Sequence, residues 1–351
     1  MQDKIAIISD IHIGAHSDNP KWHSIAVNYA KWLSATLKER GITELFILGD
    51  VFDNRKEVGV ATLHAATLFF QALSEFKIRI LTGNHDSYYS ESSEVNSLSQ
   101  FDEWDNITVY SSSKTILTRD CGKTYMMCPW GTFPDMETDR VDTVFGHFEI
   151  NGFYMTRASM CDSGVASNDI LKVSKRVFSG HFHMRDVRDY GESGSIVYVG
   201  SPYQLNWGDA DTVRGVYLYD FESDGLEFIE NTVSPKHIKV DLAQMSDSDY
   251  EKAKREQISG NIIKVCSTGL EDSSTRTAFL EMISNLEPLE VGCDIKNSSL
   301  PEFQEGSAVE ELEPEGALME YIDGLEIEFK DEIRNELRAL YIQARNSEVT
   351  K

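Results

Sequence analysis

ELFILGDVFD, residues 44–53, is an apolar run that ends at a glycine and then meets two carboxylates, Asp50 and Asp53. Four other stretches follow the same plan. IAIIS (5–9) leads into Asp10-Ile11-His12, and IRILT (78–82) into Gly83-Asn84-His85-Asp86. DTVF (142–145) leads into Gly146-His147, and RVFS (176–179) into Gly180-His181-Phe182-His183. Short β-branched and aromatic runs of this kind read as buried strands. Strands that all end in oxygen or imidazole ligands bring those ligands to one edge of a sheet, where open α/β folds build their sites.

Between these strands the apolar spacing turns helical. Trp22, Ile25, Ala26, Tyr29, Leu33 and Leu37 predict a helix over 22–37, and Leu63, Ala66, Phe70 and Leu73 another over 58–76. A further helix is expected near 88–101. From about residue 142 the strands come closer together, and a layered sheet sandwich flanked by helices fits both halves. Residues 235–297 read as a separate α+β cap in β-α-β-α-β order. The expected division is therefore 1–234 for the main α/β domain, 235–297 for the cap, 298–316 for an acidic linker and 317–351 for a helical tail. Between Glu302 and Glu328 there are ten Asp or Glu and no Lys or Arg, which suits a linker or a partner-facing arm. Gly324 interrupts the tail, giving a helix-turn-helix form.

Composition narrows the function classes. The chain has 351 residues, 41% of them hydrophobic, enough for a core and for two domains or one large one. No apolar stretch is long enough to span a membrane, and the first residues enter a strand without the basic flank and apolar block of a signal peptide. The five cysteines show no CxxC spacing and read as reduced thiols of a cytoplasmic protein. The net charge of −25 argues against strong unaided binding to nucleic acid, because that affinity comes largely from neutralised phosphates. Five of the nine histidines fall in the strand-end motifs. His16, His23, His64 and His237 read as surface or helix-face residues.

A single DxH or GHxH has a plain explanation as a capped turn, but five such motifs in order do not. Their order and spacing resemble the calcineurin-like metallophosphoesterase superfamily. That resemblance implies two divalent metal ions, manganese in this reading, with the mixed His/Asp/Asn set disfavouring magnesium or calcium. Asp10, His12, Asp50 and His183 should hold one metal. Asp50, Asn84, His147 and His181 should hold the other, with Asp50 bridging. The resemblance further implies that His85 faces the scissile phosphate and that Asp86 orients His85. Asp53 either lines the phosphate or caps the following helix.

ILGDVFDNRK, LTGNHD, GHFEINGF, SGHFH, YVGSPYQLNWGD and RGVYLYD together resemble the SbcD-type DNA nuclease subunits of repair and recombination complexes, nearest the phage-encoded forms. The implied fold is the calcineurin-like β-sandwich with a DNA-binding cap. The implied activity is exonuclease on duplex ends and endonuclease on single strands. The implied partners are DNA, an SbcC-type coiled-coil ATPase gripping the tail helices, and a second copy of the chain, with no membrane. The implied location is the host cytoplasm for a phage-encoded protein. Leu68, Phe69, Phe70, Leu98 and Phe101 look like more apolar surface than one sheet face needs, which suggests the homodimer. Arg55, Lys56, Arg157, Lys172, Lys175, Arg176, Arg185 and Arg188 are candidates to line a DNA groove. Two alternatives remain open: another calcineurin-like phosphoesterase, acting on phosphoproteins or small diesters, and a scaffold subunit with an inactive site.

Overall fold

The computed structural model describes residues 3–295 apart from 91, 112, 158, 247 and 268–272. The linker and tail expected over 298–351 lie outside the described residues.

Two six-stranded sheets pack face to face. One runs Gly225–Glu230, Gly215–Asp220, Lys4–Ile8, Glu44–Ile47, Lys77–Leu81, Ile107–Tyr110. The other runs Asp186–Asp189, Ser195–Tyr198, Arg176–Gly180, Thr143–His147, Thr124–Cys128, Thr115–Thr118. The apolar runs are continuous because both faces of each sheet are covered. Successive side chains alternate sides. Ile5 and Ile7 enter the inter-sheet core with Phe46, Met127, Phe145, Phe178 and Tyr217, whereas Ala6 and Ile8 face the helical layer. Met126, Val144, Val177 and Ile196 form a third core on the outer face of the second sheet, against Ile170 and Leu171 of the helix Ser167–Val173.

The helix expected over 22–37 spans Pro20–Glu39. The Asn19 side chain accepts the Lys21 amide and Pro20 occupies the first turn, both standard start signals. The second helix spans Val60–Ala72. The helix expected near 88–101 is instead an antiparallel hairpin, Ser87–Tyr89 with Ser92–Asn96, followed by turns. Phe69, Phe70, Leu98 and Phe101 are buried in the chain's own core, and Leu68 alone of that group is exposed. The apolar surplus that suggested a second copy is thus used internally.

Within the first sheet, Lys4–Ile8, Glu44–Ile47 and Lys77–Leu81 are mutually parallel. Arg176–Gly180 and Thr143–His147 are parallel in the second. Each of the five motifs therefore follows or ends the carboxyl end of a parallel strand. Residues 237–295 add a three-stranded parallel sheet, His237–Asp241, Ile262–Ser267 and Glu290–Ile295. Val240, Ile263 and Val265 pack there against Ile258 and against Ile283 of the helix Ser273–Ser284. Two of the histidines read as surface or helix-face residues are buried, His23 on a helix face and His237 in a strand. His23 bonds Thr62 between the two long helices, and His237 packs edge-on to Trp207. Burial pushes His237 down to about 4.

Candidate metal centre

The strand ends deliver their ligands through an unusual backbone. Asp10, His12, Asp50 and His181 have φ of 54°, 51°, 52° and 90°, in the left-handed region that side chains other than glycine seldom adopt. Each kink turns a ligand out of its strand direction, and strain of this kind concentrates at functional sites. Two glycines allow the elements to meet. A Cβ on Gly83 would collide with Asp50 Oδ1 and its amide nitrogen. One on Gly180 would collide with Ser9 Oγ and the Leu48 carbonyl of the opposite sheet.

Seven side chains converge as the motifs predict. Asp10, His12 and His183 bring ligand atoms within 4.8 Å of one another, and so do Asp50, His147 and His181. Asn84 Oδ1 lies 2.9 Å from both His147 Nε2 and His181 Nδ1. Asp50 Oδ2 lies 3.3 Å from His147 Nε2 and 3.8 Å from His12 Nε2, between the two groups.

Acceptors behind three of the rings hold the nitrogens that point away from the site. His147 Nδ1–H donates to the Leu48 carbonyl at 2.7 Å, and His12 Nδ1–H to Asp53 Oδ1 at 3.1 Å. His181 Nε2–H faces Glu149 Oε1 at 3.3 Å. The opposite nitrogens, His147 Nε2, His12 Nε2 and His181 Nδ1, point inward at the oxygens of Asp50 and Asn84. His12 Nε2 and Asp10 Oδ2 are buried with no hydrogen-bond partner among the described residues. Converging carboxylate and imidazole ligand atoms, some of them buried without a partner, are costly unless positive charge lies among them. The donor set therefore fits divalent metal ions.

In the metal-free protein a proton on His147 supplies part of that positive charge. Burial alone would lower His147, but Asp50 beside it reverses the sign and holds His147 up at about 9. Burial would raise Asp50, yet the neighbouring His147 keeps it well below the usual carboxylate range. Burial, with the His147 charge adding to it, pushes His181 down to about 3.

His12, Asp53 and His85 also come within 4.8 Å of one another. They make a poor third metal group, because Asp53 already takes His12 Nδ1–H and the Asp53 carbonyl accepts His85 Nδ1–H at 2.5 Å. Asp53 thus orients two imidazoles. It caps no helix, since the next one begins at Val60 after Gly59. Asp86 also differs from expectation. Its carboxylate accepts the amides of Val51, Phe52 and Gly83, so it braces the two loops and leaves the His85 ring to Asp53. Burial, with the Asp50 charge adding to it, raises Asp86 to about 6.

Three contributors are not marked in the sequence. Glu149 reads only as a loop carboxylate. Trp130, whose ring is 5.1 Å from His181, reads as a strand-end aromatic. Arg214 reads as a charge flanking an apolar strand, yet it is 4% exposed. Its guanidinium donates to the His183 carbonyl, to Ser201 Oγ and to Asp209 Oδ1. Arg214→Met leaves the equally buried Asp209 without its partner. It should cost about 3–5 kcal/mol of unfolding free energy. A denaturant midpoint within error of wild type would show that the pair contributes little. Of the basic residues expected to line a groove, Arg157, Lys172, Arg176 and Arg188 are each within ion-pair distance of an aspartate. Arg185 bonds the Tyr217 hydroxyl.

Comparison with known proteins agrees with this geometry. A family described as calcineurin-like phosphoesterase matches residues 3–185, a span containing every ligand named above. Exonuclease subunit 1 of Enterobacteria phage T4 is 30% identical over 256 residues, which is 71% of this chain and 73% of that protein. Among solved structures, similarity extends to a dimetal phosphatase from Danio rerio, at 10% identity over 63% of this chain and 93% of that one, TM-score 0.40. It extends also to GAP50 of Plasmodium, at 12% identity over 66% and 90%, TM-score 0.39. These two structural likenesses carry no further weight. Among the described residues no helix is long and apolar enough to cross a membrane.

Proposed function

The chain belongs to the calcineurin-like phosphoesterase family, and on that premise we propose that it is the nuclease subunit of a DNA repair or recombination complex. Its activity is exonuclease on duplex ends and endonuclease on single strands. The observation that carries the hydrolase reading is the set of imidazole nitrogens converging on Asp50 and Asn84. The likeness to a phage exonuclease subunit carries the choice of DNA and of a complex.

When bound, two divalent metal ions, manganese in this reading, supply an activated water at neutral pH and neutralise charge on the phosphoryl oxygens. Asp10, His12 and His183 would hold one ion, Asn84, His147 and His181 the other, and Asp50 both. Asp53, Glu149 and the Leu48 carbonyl fix the ring orientations. His85, with Nδ1–H tied to the Asp53 carbonyl, keeps Nε2 for the phosphate or the leaving oxygen. The converging acceptors also weigh against a scaffold with an inactive site, which would have no need to keep them.

The division into a nuclease domain over 1–234 and a DNA-binding cap over 235–297 belongs to the same reading. The homodimer rests on family resemblance alone. The tail carries Leu318, Met319, Tyr321 and Ile322, then Leu325, Ile327, Phe329, Ile333, Leu337, Leu340, Tyr341 and Ile342. The pair of short helices expected from its spacing could not bury that much apolar surface by itself, so an SbcC-type coiled coil is its partner in this reading. A chain truncated at Ser298 should keep manganese-dependent nuclease activity and lose ATPase binding. Undiminished binding would show that the tail has another role. The substrate class is tested by incubating the protein with duplex DNA, a phosphopeptide and a chromogenic phosphodiester, with and without manganese. DNA should be degraded only with the metal. Dephosphorylation of the peptide with DNA left intact would replace the nuclease reading by a phosphatase one.

A further inference from the structure

Resting on the nuclease reading, we propose that the hairpin Ser87–Tyr89 and Ser92–Asn96 is a base-stacking platform. On it Tyr88 and Tyr89 receive unpaired bases of the strand being cut. The hairpin is mounted directly on the metal centre. Ser87 Oγ donates to the Gly83 carbonyl at 2.8 Å, and the Ser97 amide to the Asp86 carbonyl at 2.9 Å, on either side of His85 in the motif. Ser93 Oγ donates to the Trp130 carbonyl at 3.0 Å. Trp130 Nε1–H returns a bond to the Ser90 carbonyl at 3.1 Å, and its ring is the one that approaches His181. The hairpin is thereby tied to the His85 loop at one end and to the wall beside His181 at the other.

This mount buries small polar groups and displays large aromatic ones, the reverse of the usual preference. Ser87 and Ser93 are 0% and 3% exposed, while Tyr88 and Tyr89 are 49% and 55% exposed. The two tyrosine rings stand edge to face at 4.9 Å. Their hydroxyls make no hydrogen bond among the described residues, so nothing in the fold accounts for the pair. Stacking suits this chain in particular. A protein of net charge −25, with five of its eight candidate groove cations already paired or hydrogen-bonded, has little electrostatic grip on a phosphate backbone. Base–aromatic stacking needs no cation and accepts every base, but it requires bases that are not paired in a duplex. The platform therefore favours single strands and frayed ends next to the cut.

The test uses the full chain with manganese and two single-stranded oligonucleotides of equal length and phosphate count. One is oligo-dT, and the other carries abasic residues around the cut. Wild type should prefer the base-bearing strand in kcat/KM by roughly 5- to 100-fold, the range expected for one stacked base. The paired variant Tyr88→Ala/Tyr89→Ala should bring that ratio near one, and Tyr88→Phe/Tyr89→Phe should keep it. An alanine pair that retains the preference, or a wild type that has none, overturns the platform. So does an unchanged ratio accompanied by a fall from dimer to monomer mass in light scattering, which would make the hairpin a self-association surface. Failure of the nuclease reading looks different, because neither oligonucleotide would then be cut, and that result would remove both.

Discussion

Asp50→Asn should leave a folded protein without measurable phosphodiester hydrolysis. Asp50 is almost fully buried, and its Oδ1 accepts the His85 amide at 2.9 Å. An asparagine of the same shape keeps that bond. Its uncharged amide then faces His147 Nε2 and His12 Nε2 and can no longer pair with the charge that Asp50 holds on His147. The substitution thus removes both the bridging carboxylate and the buried charge partner of His147. Two results follow. In metal-free buffer at neutral pH the variant should melt below wild type, because the Asp50 carboxylate and the His147 imidazolium stabilise each other there. Added manganese should raise the melting temperature of wild type, because a ligand that binds only the folded state stabilises it by mass action, and should barely move the variant. Wild-type turnover in Asp50→Asn would remove the bridging role altogether.

His85→Ala has the second largest expected effect. Its ring is held by the Asp53 carbonyl and lies edge-on to His12, with ring centroids 4.8 Å apart. Neither ring nitrogen is required by the seven-residue ligand set. Both metals should therefore stay bound while turnover falls by roughly 10²–10⁴-fold, the loss typical of an acid–base group. Metal content per chain and kcat, measured on the same sample, check this together. Loss of one metal would reassign His85 as a ligand in the group it forms with His12 and Asp53.

The residues legible in the sequence are those whose role follows from local pattern. Strands buried on both faces read as unbroken apolar runs, so IAIIS, ELFIL and IRILT announced themselves. The helix Pro20–Glu39 did so by its spacing and by Asn19-Pro20 at its start. The ligands were legible because each follows such a run. What failed did so for tertiary reasons. Leu98 and Phe101 are three apart and imitate a helix face, yet they plug into the core from turns. The polar Ser-rich stretch before them is held as a hairpin by bonds to Gly83 and Trp130, which no local propensity encodes. Family resemblance pairs Asp86 with His85, whereas its actual partners come partly from the Val51–Phe52 backbone, more than thirty positions earlier. The buried Arg214–Asp209 pair and the left-handed φ of Asp10, His12 and Asp50 leave no trace in residue type.

The account stands on two metal positions at the shared edge of the sheets. Crystals of the wild-type protein grown with manganese, measured at the manganese absorption edge, test it most directly. Two anomalous peaks roughly 3.5–4 Å apart should flank Asp50. One should lie among Asp10, His12 and His183, and the other among Asn84, His147 and His181. A single peak, peaks elsewhere, or a pair held by His85 in place of Asp50 would contradict it.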